Sequence, residues 1–381
     1  MSLAEMIVPD LHRRGARSHT RIHARNRYSD TSSESSGWTS TWRAWGTTAS
    51  VTVTDPAALP AARRLVSRQF AAAEKAAARF RKDAELHRLY RAGGRPITVS
   101  PLLAELIAAA LAAAERTGGD VDPTVAAAMT AVHGQGDRDA SAMPTCGTRS
   151  TGPRPVPGWQ QVELQGRQLR VPAGTTLDLS ATATAFACDL AAAAVRARLN
   201  VGVLVTLGGD AASAGPGPDG GWHVLIDERH DRRIDVLLPA GAGLATSHFT
   251  ARPGQFGEDP AGEGSGHLID PRTGRPPTAI WRMATAVGFT SLEAATYTAA
   301  ALIRGSSASA WLVQLWVPAR LVTVYDDVIT VGPWSAHQAS TATSAETATS
   351  TNTSTEGPTG SADGPALFPT PRQANPRRTT R

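Results

Sequence analysis

The chain has 381 residues, with 38 lysines and arginines against 33 aspartates and glutamates, and a formal net charge of +5 at pH 7. Its two cysteines are too few for the disulfide framework of a small secreted domain. No apolar run reaches the roughly twenty residues that span a bilayer, and no signal peptide is visible, so the sequence predicts a cytoplasmic protein without a membrane segment.

The two ends of the chain differ in composition from its middle. Residues 1–41 are rich in Arg, His and Ser, and residues 335–381 are rich in Ser, Thr and Pro. Neither range has enough large apolar side chains to offset the entropy of ordering, so we expect disordered tails around one folded domain over 42–334. A flexible loop is expected near 135–158. Because much of the clustered positive charge lies in the tails, the charge predicts no specific nucleic-acid partner.

The first half of the predicted domain combines helices with short strands. Alternating apolar residues predict a strand from Ala49, and Pro56 begins an alanine-rich helix that reaches about Phe80. Ser100 is a good N-cap and is followed by proline, so a second long helix is expected from there to Thr117, before a glycine pair. The shorter predicted elements are a helix near 85–89, a strand at 96–99, a helix from 124 to about 133, and strands at 161–164 and 168–171.

The second half begins with a helix and a strand in direct succession. The helix is predicted over 181–199 and the strand over 201–207, which places Asp178 and the turn 208–210 at element ends. Backbone groups are free for a ligand at such ends. Further elements are predicted as strands at 222–227, 234–238, 283–289, 310–317 and 328–331, with a helix over about 292–304. Because the regular βαβ spacing of a doubly wound sheet is missing, the predicted fold class is α+β.

One segment, residues 267–276, has the sequence His-Leu-Ile-Asp-Pro-Arg-Thr-Gly-Arg-Pro. Its turn-forming residues fix the backbone around His267, Asp270 and Arg272. These three side chains offer a proton carrier, a carboxylate and a cation that suits phosphate. The segment therefore predicts a reactive loop and not a part of the core.

Seven short motifs occur in one order along the predicted domain. They are Trp45-Gly46-Thr47, Asp83-Ala84-Glu85-Leu86, Gly119-Asp120-Val121-Asp122-Pro123-Thr124, Leu177-Asp178-Leu179-Ser180-Ala181, Leu207-Gly208-Gly209-Asp210, Ala245-Thr246-Ser247 and residues 267–274. Taken together, the chain resembles the FAD:protein FMN transferases of the ApbE family over about residues 42–334. The His-x-x-Asp-Pro-x-Thr-Gly element is the most specific of the seven. The resemblance implies a single T-fold-like α+β core with mixed sheets and packed helices.

The resemblance also implies an activity. It implies a magnesium-dependent transferase that moves the FMN half of FAD to a Ser or Thr hydroxyl of an acceptor flavoprotein and releases AMP. Such a protein flavinylation needs a base near the hydroxyl, and positive charge where the phosphoryl oxygens gain negative charge. His267 is the candidate catalytic base, because the reference pKa of histidine lies near neutrality. The alternative for His267 is a hydrogen-bonded structural histidine.

The FAD contacts of the family fall on eight positions of this sequence. Aromatic and apolar side chains among them could pack on the flavin or adenine ring, while carboxylates can accept hydrogen bonds from flavin or ribose. For the two aromatic residues, ordinary core packing is the alternative. The eight positions are Trp45, Phe80, Asp120, Val121, Asp122, Asp178, Thr184 and Ile269.

The metal positions are where the sequence departs from the family. The magnesium-binding carboxylate and hydroxyl of the family fall on Ala295 and Ala299, whose methyl groups offer no oxygen ligand. The backbone carbonyl at Ala181 is retained. Thr298 is a candidate substitute, although a shift of one residue turns a side chain by about 100° around a helix. The implied cofactors are therefore FAD as substrate and Mg²⁺ with an incomplete ligand set.

Three other functions stay open at the level of sequence. A degenerate family member would bind FAD or a partner protein without turnover. A FAD pyrophosphatase would use the same phosphate site, with water in place of the protein hydroxyl. The basic composition alone would fit a nucleic-acid binder whose affinity falls steeply with salt.

Overall fold

We describe the fold from a computed structural model of the chain. The described residues all belong to one compact unit within residues 1–341. Phe80, His267, and most of the predicted tails and of the loop near 135–158 lie outside the described residues. The structure describes residues 22–25, 38–78, 81, 83–133, 155, 156, 158–229, 232–249, 268–334 and 336–339.

Strands and helices alternate irregularly along the described residues, as expected for an α+β fold. The strands are β1 (Ile22–Arg25), β2 (Thr39–Ala44), β3 (Thr47–Val53), β4 (Ile97–Thr98), β5 (Glu163–Gln165), β6 (Gln168–Arg170), β7 (Val203–Leu207), β8 (Asp210–Ala214), β9 (Trp222–Arg229), β10 (Arg232–Leu238), β11 (Gly243–His248), β12 (Trp281–Gly288), β13 (Ala319–Thr323), β14 (Val328–Val331) and β15 (Ala336–Ala339). The helices are α1 (Leu59–Ala77), α2 (His87–Ala92), α3 (Pro101–Thr117), α4 (Ala126–His133), α5 (Ala183–Leu199), α6 (Ser291–Arg304) and α7 (Ala308–Gln314).

An eight-stranded antiparallel sheet forms the centre of the fold, in the order β14-β13-β12-β11-β8-β7-β3-β2. All five residues of β7 are buried, which explains why four of them are apolar and do not alternate with polar residues. Helices α5 and α6 pack on this sheet, and α1 packs on α5. Two smaller sheets have the orders β1-β9-β10-β15 and β4-β6-β5.

Helix α3 shows how local sequence sets the ends of the elements near the site. The Ser100 hydroxyl accepts a hydrogen bond from the Leu103 N–H at 3.2 Å, and Pro101 is the first helical residue, as predicted. The helix ends at Gly118, whose φ of 66° is a left-handed conformation that favours glycine. None of the helices in the described part of the chain is long and apolar enough to cross a membrane.

The predicted strand at 310–317 is wrong. The chain forms helix α7 there, with Leu312 buried while Val313 and Leu315 are exposed. A short apolar run fits a buried strand and a partly buried helix equally well, so periodicity does not separate the two. The strand that follows α6 in the sheet is β13, over Ala319–Thr323. The sequence analysis also missed β8 and β11, which have only five and six residues.

Short strands also occur in the ranges expected to be tails. Strand β1 pairs with β9, and β15 pairs with β10, both antiparallel. Strand β2 begins at Thr39, three residues before the predicted start of the domain at Trp42. The domain limits 42–334 and the disorder of the tails stay predictions.

Candidate functional site

A cleft opens where two loops and one helix meet. The loops are the one that follows α3 and the one that precedes α5, and the helix is α6. The enclosed part of the cleft measures about 30 Å³, the space of roughly one water molecule, so a larger ligand would extend out of its mouth. The lining residues are Ala110, Asp120, Val121, Asp122, Pro123, Val125, Met129, Asp178, Ser180, Ala181, Thr182, Leu268, Ile269, Ala299 and Ile303.

Asp122 fixes the loop that follows α3. One carboxylate oxygen accepts hydrogen bonds from the Thr124 N–H at 2.8 Å and the Thr124 hydroxyl at 2.7 Å. The other oxygen accepts from the Trp159 N–H at 3.0 Å. Asp122 thereby caps a 3₁₀ turn, Pro123–Val125, and ties it to a distant part of the chain. The side chain is buried, so these bonds replace the water it has lost.

Asp178 fixes the second loop beside the first. Its carboxylate accepts a hydrogen bond from the Ser180 N–H at 2.7 Å, and its own N–H donates to the Pro123 carbonyl at 2.7 Å. The backbone bond joins the two loops directly. Side chains 122 and 178, predicted from separate motifs, therefore line one wall of the cleft.

Asp120 lies between two arginines at the cleft. Its Oδ2 is 2.5 Å from Nε of Arg304, and its Oδ1 is 3.9 Å from Nη1 of Arg272. Burial raises the pKa of Asp120, while the two guanidinium groups oppose that rise. Arg304 also donates to the Thr117 carbonyl at 2.9 Å and lies over the Trp311 ring, with 4.1 Å from Cζ to the ring centroid. These contacts hold the Arg304 guanidinium beside the cleft.

The loop that includes residues 268–276 is a tight turn. The Asp270 N–H donates to the Arg275 carbonyl, and the Gly274 N–H donates to the Asp270 carbonyl, both at 2.8 Å. Gly274 has a φ of 66°, which explains the glycine at that position. The Asp270 carboxylate holds Arg272 through the backbone N–H at 2.9 Å and through Nε at 2.8 Å. The turn thereby directs Arg272 toward Asp120, and Ile269 lines the cleft.

Two of the four predicted metal positions line the cleft. Ala181 and Ala299 line the cleft, whereas Ala295 and Thr298 are buried and do not. The Thr298 hydroxyl is 2.8 Å from the Ser247 hydroxyl and donates to the Ala295 carbonyl at 3.1 Å. Across the described ranges, no group of three or more His, Cys, Asp or Glu side chains is placed to hold a metal ion. The described residues therefore show no cluster of carboxylates of the kind that Mg²⁺ prefers, and the four metal assignments stay predictions.

Two further predicted positions lie away from the cleft. Trp45 packs against the main hydrophobic core, and its indole N–H donates to the Phe70 carbonyl at 2.9 Å. Thr184, in the first turn of α5, makes a side-chain hydrogen bond with Asp210. Neither residue lines the cleft, so their assignment to FAD stays a prediction. The assignments of Phe80 and His267 also stay predictions, because both residues lie outside the described ranges.

Sequence reasoning missed Arg304 and the apolar lining. An arginine in the last turn of a helix is ordinarily explained by the helix dipole, so nothing in the sequence pointed to the cleft. Its partner, Asp120, is 184 residues away along the chain. Met129 and Ile303, which line the cleft, lie on the apolar faces of helices and are not distinguishable by sequence from core residues.

Two further carboxylates have raised pKa values: Asp189, which sequence reasoning missed, and Asp210, which ends one of the seven motifs. The Asp189 carboxylate accepts hydrogen bonds from the N–H groups of Ser291 at 2.8 Å and Leu292 at 3.0 Å, at the first turn of α6. Burial raises the pKa of Asp189 to about 6, against the lowering effect of these two bonds. Burial raises the pKa of Asp210 to about 7, and Thr184 lowers it through its hydrogen bond.

The antiparallel sheet, the helices packed on it and the cleft at α6 define one class of α+β protein, and solved structures of that class share the fold. The flavinyl transferase ApbE of Pseudomonas stutzeri, in its apo form, is 20% identical, with a TM-score of 0.62 over 77% of this chain and 94% of that chain. The ApbE protein of Thermotoga maritima is 20% identical, with a TM-score of 0.62 over 77% and 96%. The flavin transferase ApbE of Vibrio cholerae is 17% identical, with a TM-score of 0.59 over 82% and 97%.

The sequence shows the same family relationship as the fold. Residues 45–321 match the model of the ApbE family. The chain belongs to the ApbE family, which confirms the resemblance and the α+β fold class predicted from the sequence. A search of curated proteins gave no significant match.

Proposed function

We propose that this protein is a flavin transferase that moves the FMN half of FAD to a Ser or Thr hydroxyl of an acceptor flavoprotein and releases AMP. The observation that carries the proposal is the composition of the cleft. Five of the eight positions assigned to FAD from separate motifs line it together. These five are Asp120, Val121, Asp122, Asp178 and Ile269.

The comparisons support the same proposal. The chain belongs to the ApbE family, and two of its solved structural neighbours are described as flavin or flavinyl transferases. Those structures have low sequence identity to this chain, so they support the shared fold alone. The proposed activity rests on the family and on the cleft together. The acceptor flavoprotein, the FAD donor and the cytoplasmic location are parts of the proposal.

The chemistry of the cleft walls fits parts of FAD. Val121, Met129 and Ile269 give an apolar surface against which a flavin or adenine ring would pack. Asp122 and Asp178, already fixed by backbone N–H groups, would accept hydrogen bonds from ring or ribose donors. Because the enclosed space is small, most of the dinucleotide would lie across the mouth of the cleft.

His267 has the proposed role of the base that removes the proton from the acceptor hydroxyl. It directly precedes Leu268 and Ile269, and both of these line the cleft. The described residues do not fit a magnesium ion, because Ala295 and Ala299 replace the side-chain oxygens. We therefore derive no step through a metal.

A transfer reaction tests the proposal. The protein is incubated with FAD and the acceptor flavoprotein of a characterised ApbE protein, once with Mg²⁺ and once with EDTA. Flavin fluorescence of the denatured acceptor measures covalent transfer, and chromatography measures AMP. Covalent flavin with an equal amount of AMP supports the proposal. AMP without covalent flavin contradicts it in favour of a FAD pyrophosphatase.

A second candidate function is FAD binding without turnover. The loss of oxygen ligands at Ala295 and Ala299 favours it, since the cleft walls keep their residues while the metal positions do not. Tight FAD binding with neither product in the transfer reaction would support this candidate. The double variant Ala295→Asp, Ala299→Thr further separates flavin transfer from FAD binding without turnover. If flavin transfer appears only in this variant, the natural chain has lost turnover.

A further inference from the structure

Three of the four predicted metal positions and Arg304 lie on the same helix, α6. Ala299, at the position of the family's hydroxyl ligand, lines the cleft, and Arg304 ends α6 five residues later. Five residues of helix rise by about 7.5 Å, so the guanidinium group of a long side chain stays close to the cleft. Ala295 and Ala299 therefore offer no side-chain oxygen to a metal, whereas the permanently charged guanidinium group of Arg304 is held beside the cleft.

The obvious substitutes for the lost ligands are engaged elsewhere. The Thr298 hydroxyl is bonded to Ser247 and to the Ala295 carbonyl, as described above. The Thr296 hydroxyl donates to the Leu292 carbonyl at 2.8 Å and is also buried. Neither threonine lines the cleft. A hydroxyl one residue away on α6 therefore does not restore the site.

Two of the three described carboxylates that line the cleft are committed as well. Both Asp122 oxygens accept hydrogen bonds from the protein, three in all. Asp120 is paired with Arg304 and Arg272. A divalent cation would have to displace an arginine to reach Asp120, and two positive charges at this distance would repel each other.

We infer that in this protein the positive charge that faces the phosphate groups of a dinucleotide comes from Arg272 and Arg304, and not from a bound divalent cation. The inference rests on the proposed use of FAD. Guanidinium groups bind phosphate through paired N–H donors and stay charged at every physiological pH. Arg272 is the more accessible of the two, with 62% of its side chain exposed.

Asp120 has a defined part in this arrangement. In the ligand-free protein it bridges the two arginines and neutralises part of their charge. A pyrophosphate group carries more negative charge than one carboxylate, so it would compete with Asp120 for the same N–H donors. The stacking of Arg304 on Trp311 keeps that guanidinium in place during the exchange.

Binding measurements test the inference apart from catalysis. FAD binding is followed by quenching of flavin fluorescence, in EDTA and in Mg²⁺, and Mn²⁺ binding is followed by electron paramagnetic resonance. We expect the FAD dissociation constant to differ less than twofold between EDTA and Mg²⁺, no stoichiometric Mn²⁺ binding, and displacement of FAD by inorganic pyrophosphate in EDTA. The Ala295→Asp, Ala299→Thr variant provides the positive control for Mn²⁺.

Variants of the arginines test their part directly. Arg304→Gln and Arg272→Gln should each weaken FAD binding in EDTA by at least about tenfold, while riboflavin, which lacks phosphate, should bind as before. Retained riboflavin binding also shows that each variant is folded. Arg88→Gln is the matched control, since Arg88 pairs with Glu85, which does not line the cleft, whereas Arg272 and Arg304 pair with Asp120, which does.

The outcomes separate this inference from the proposed function. Three results would each overturn the inference. The first is FAD binding that requires Mg²⁺, and the second is one Mn²⁺ bound per chain. The third is an equal loss of affinity for FAD and for riboflavin in both arginine variants. Absence of FAD binding under all conditions would overturn it too. FAD binding in EDTA without covalent transfer would leave the inference standing and contradict the proposed turnover.

Discussion

Asp189 on α5 holds the first turn of α6 through Ser291, with 2.8 Å between the Ser291 nitrogen and Asp189 Oδ1. The second oxygen accepts from the Leu292 N–H. The first N–H groups of a helix have no partner within the helix, and a carboxylate from another element supplies it here. Helix α6 contributes Ala299 and Ile303 to the cleft, so this contact links the core to the geometry of the site.

Asp189→Asn should lower the free energy of unfolding by about 1–2 kcal/mol. The amide keeps one acceptor oxygen, but its NH₂ group would face an N–H group that needs an acceptor. Urea unfolding followed by circular dichroism measures the change. Asp83→Asn is the control, because Asp83 is exposed and pairs with Arg81 at the surface, where such pairs contribute little. Equal effects of both substitutions would contradict the prediction.

Asp210 should make the stability depend on pH. Its pKa is raised from 3.8 to about 7 in the folded protein, so the folded state holds a proton that the unfolded state has released. The stability from this group is complete below about pH 4 and is lost as the pH rises through about 7. Asp189 contributes to stability with the same sign, and its contribution is lost as the pH rises through about 6.

The Asp210→Asn variant isolates this contribution. We take the free energy of unfolding of the natural protein and subtract that of the variant at each pH. As the pH rises from 4.5 to 7.5, this difference should decrease by an amount on the order of 1–3 kcal/mol. His248, whose pKa burial lowers to about 4, has the opposite slope between about pH 6.5 and pH 4, and it cancels in the difference. A difference that does not change with pH would refute the role of Asp210.

The parts of the site that follow local rules were predictable from sequence, and the parts made by distant contacts were not. The cap at Ser100 and the turn at Gly274 depend on residues within a few positions of each other. Asp178 was found because its motif stands at an element end, and Asp120 because it belongs to a motif of the family resemblance. Arg304 and Asp189 were missed, since their roles depend on partners 184 and 102 residues away.

Glu228 and Arg320 form an ion pair that is almost completely buried, between β9 and β13. Arg320→Met should lower the free energy of unfolding by about 3–5 kcal/mol, because it leaves the Glu228 carboxylate buried without that partner. Combining it with Glu228→Gln should recover much of the loss, since the second change removes the buried charge. Urea unfolding of the two single variants and the double variant gives the coupling energy. Additive losses would contradict the pairing.

Asp122 should tolerate neither loss nor neutralisation of its carboxylate. Its oxygens accept hydrogen bonds from the N–H groups of Thr124 and Trp159 on opposite sides, so the NH₂ group of Asp122→Asn must face an N–H donor on one side. We expect this variant to lose about 1–3 kcal/mol of stability, as expected for an unsatisfied buried group, and to bind riboflavin at least tenfold more weakly.

Riboflavin is the informative ligand for Asp122, because its binding does not depend on the phosphate contacts of Arg272 and Arg304. Asp122→Ala should weaken riboflavin binding as much as Asp122→Asn does, since either change releases the loop that carries Val121 into the cleft. Thr124→Ser keeps the hydroxyl that donates to Asp122 and serves as the matched control. If Asp122→Asn bound riboflavin as well as the natural protein does, the carboxylate would be dispensable for the shape of the cleft. The loop would then be held by its other hydrogen bonds, such as that between the Asp178 N–H and the Pro123 carbonyl.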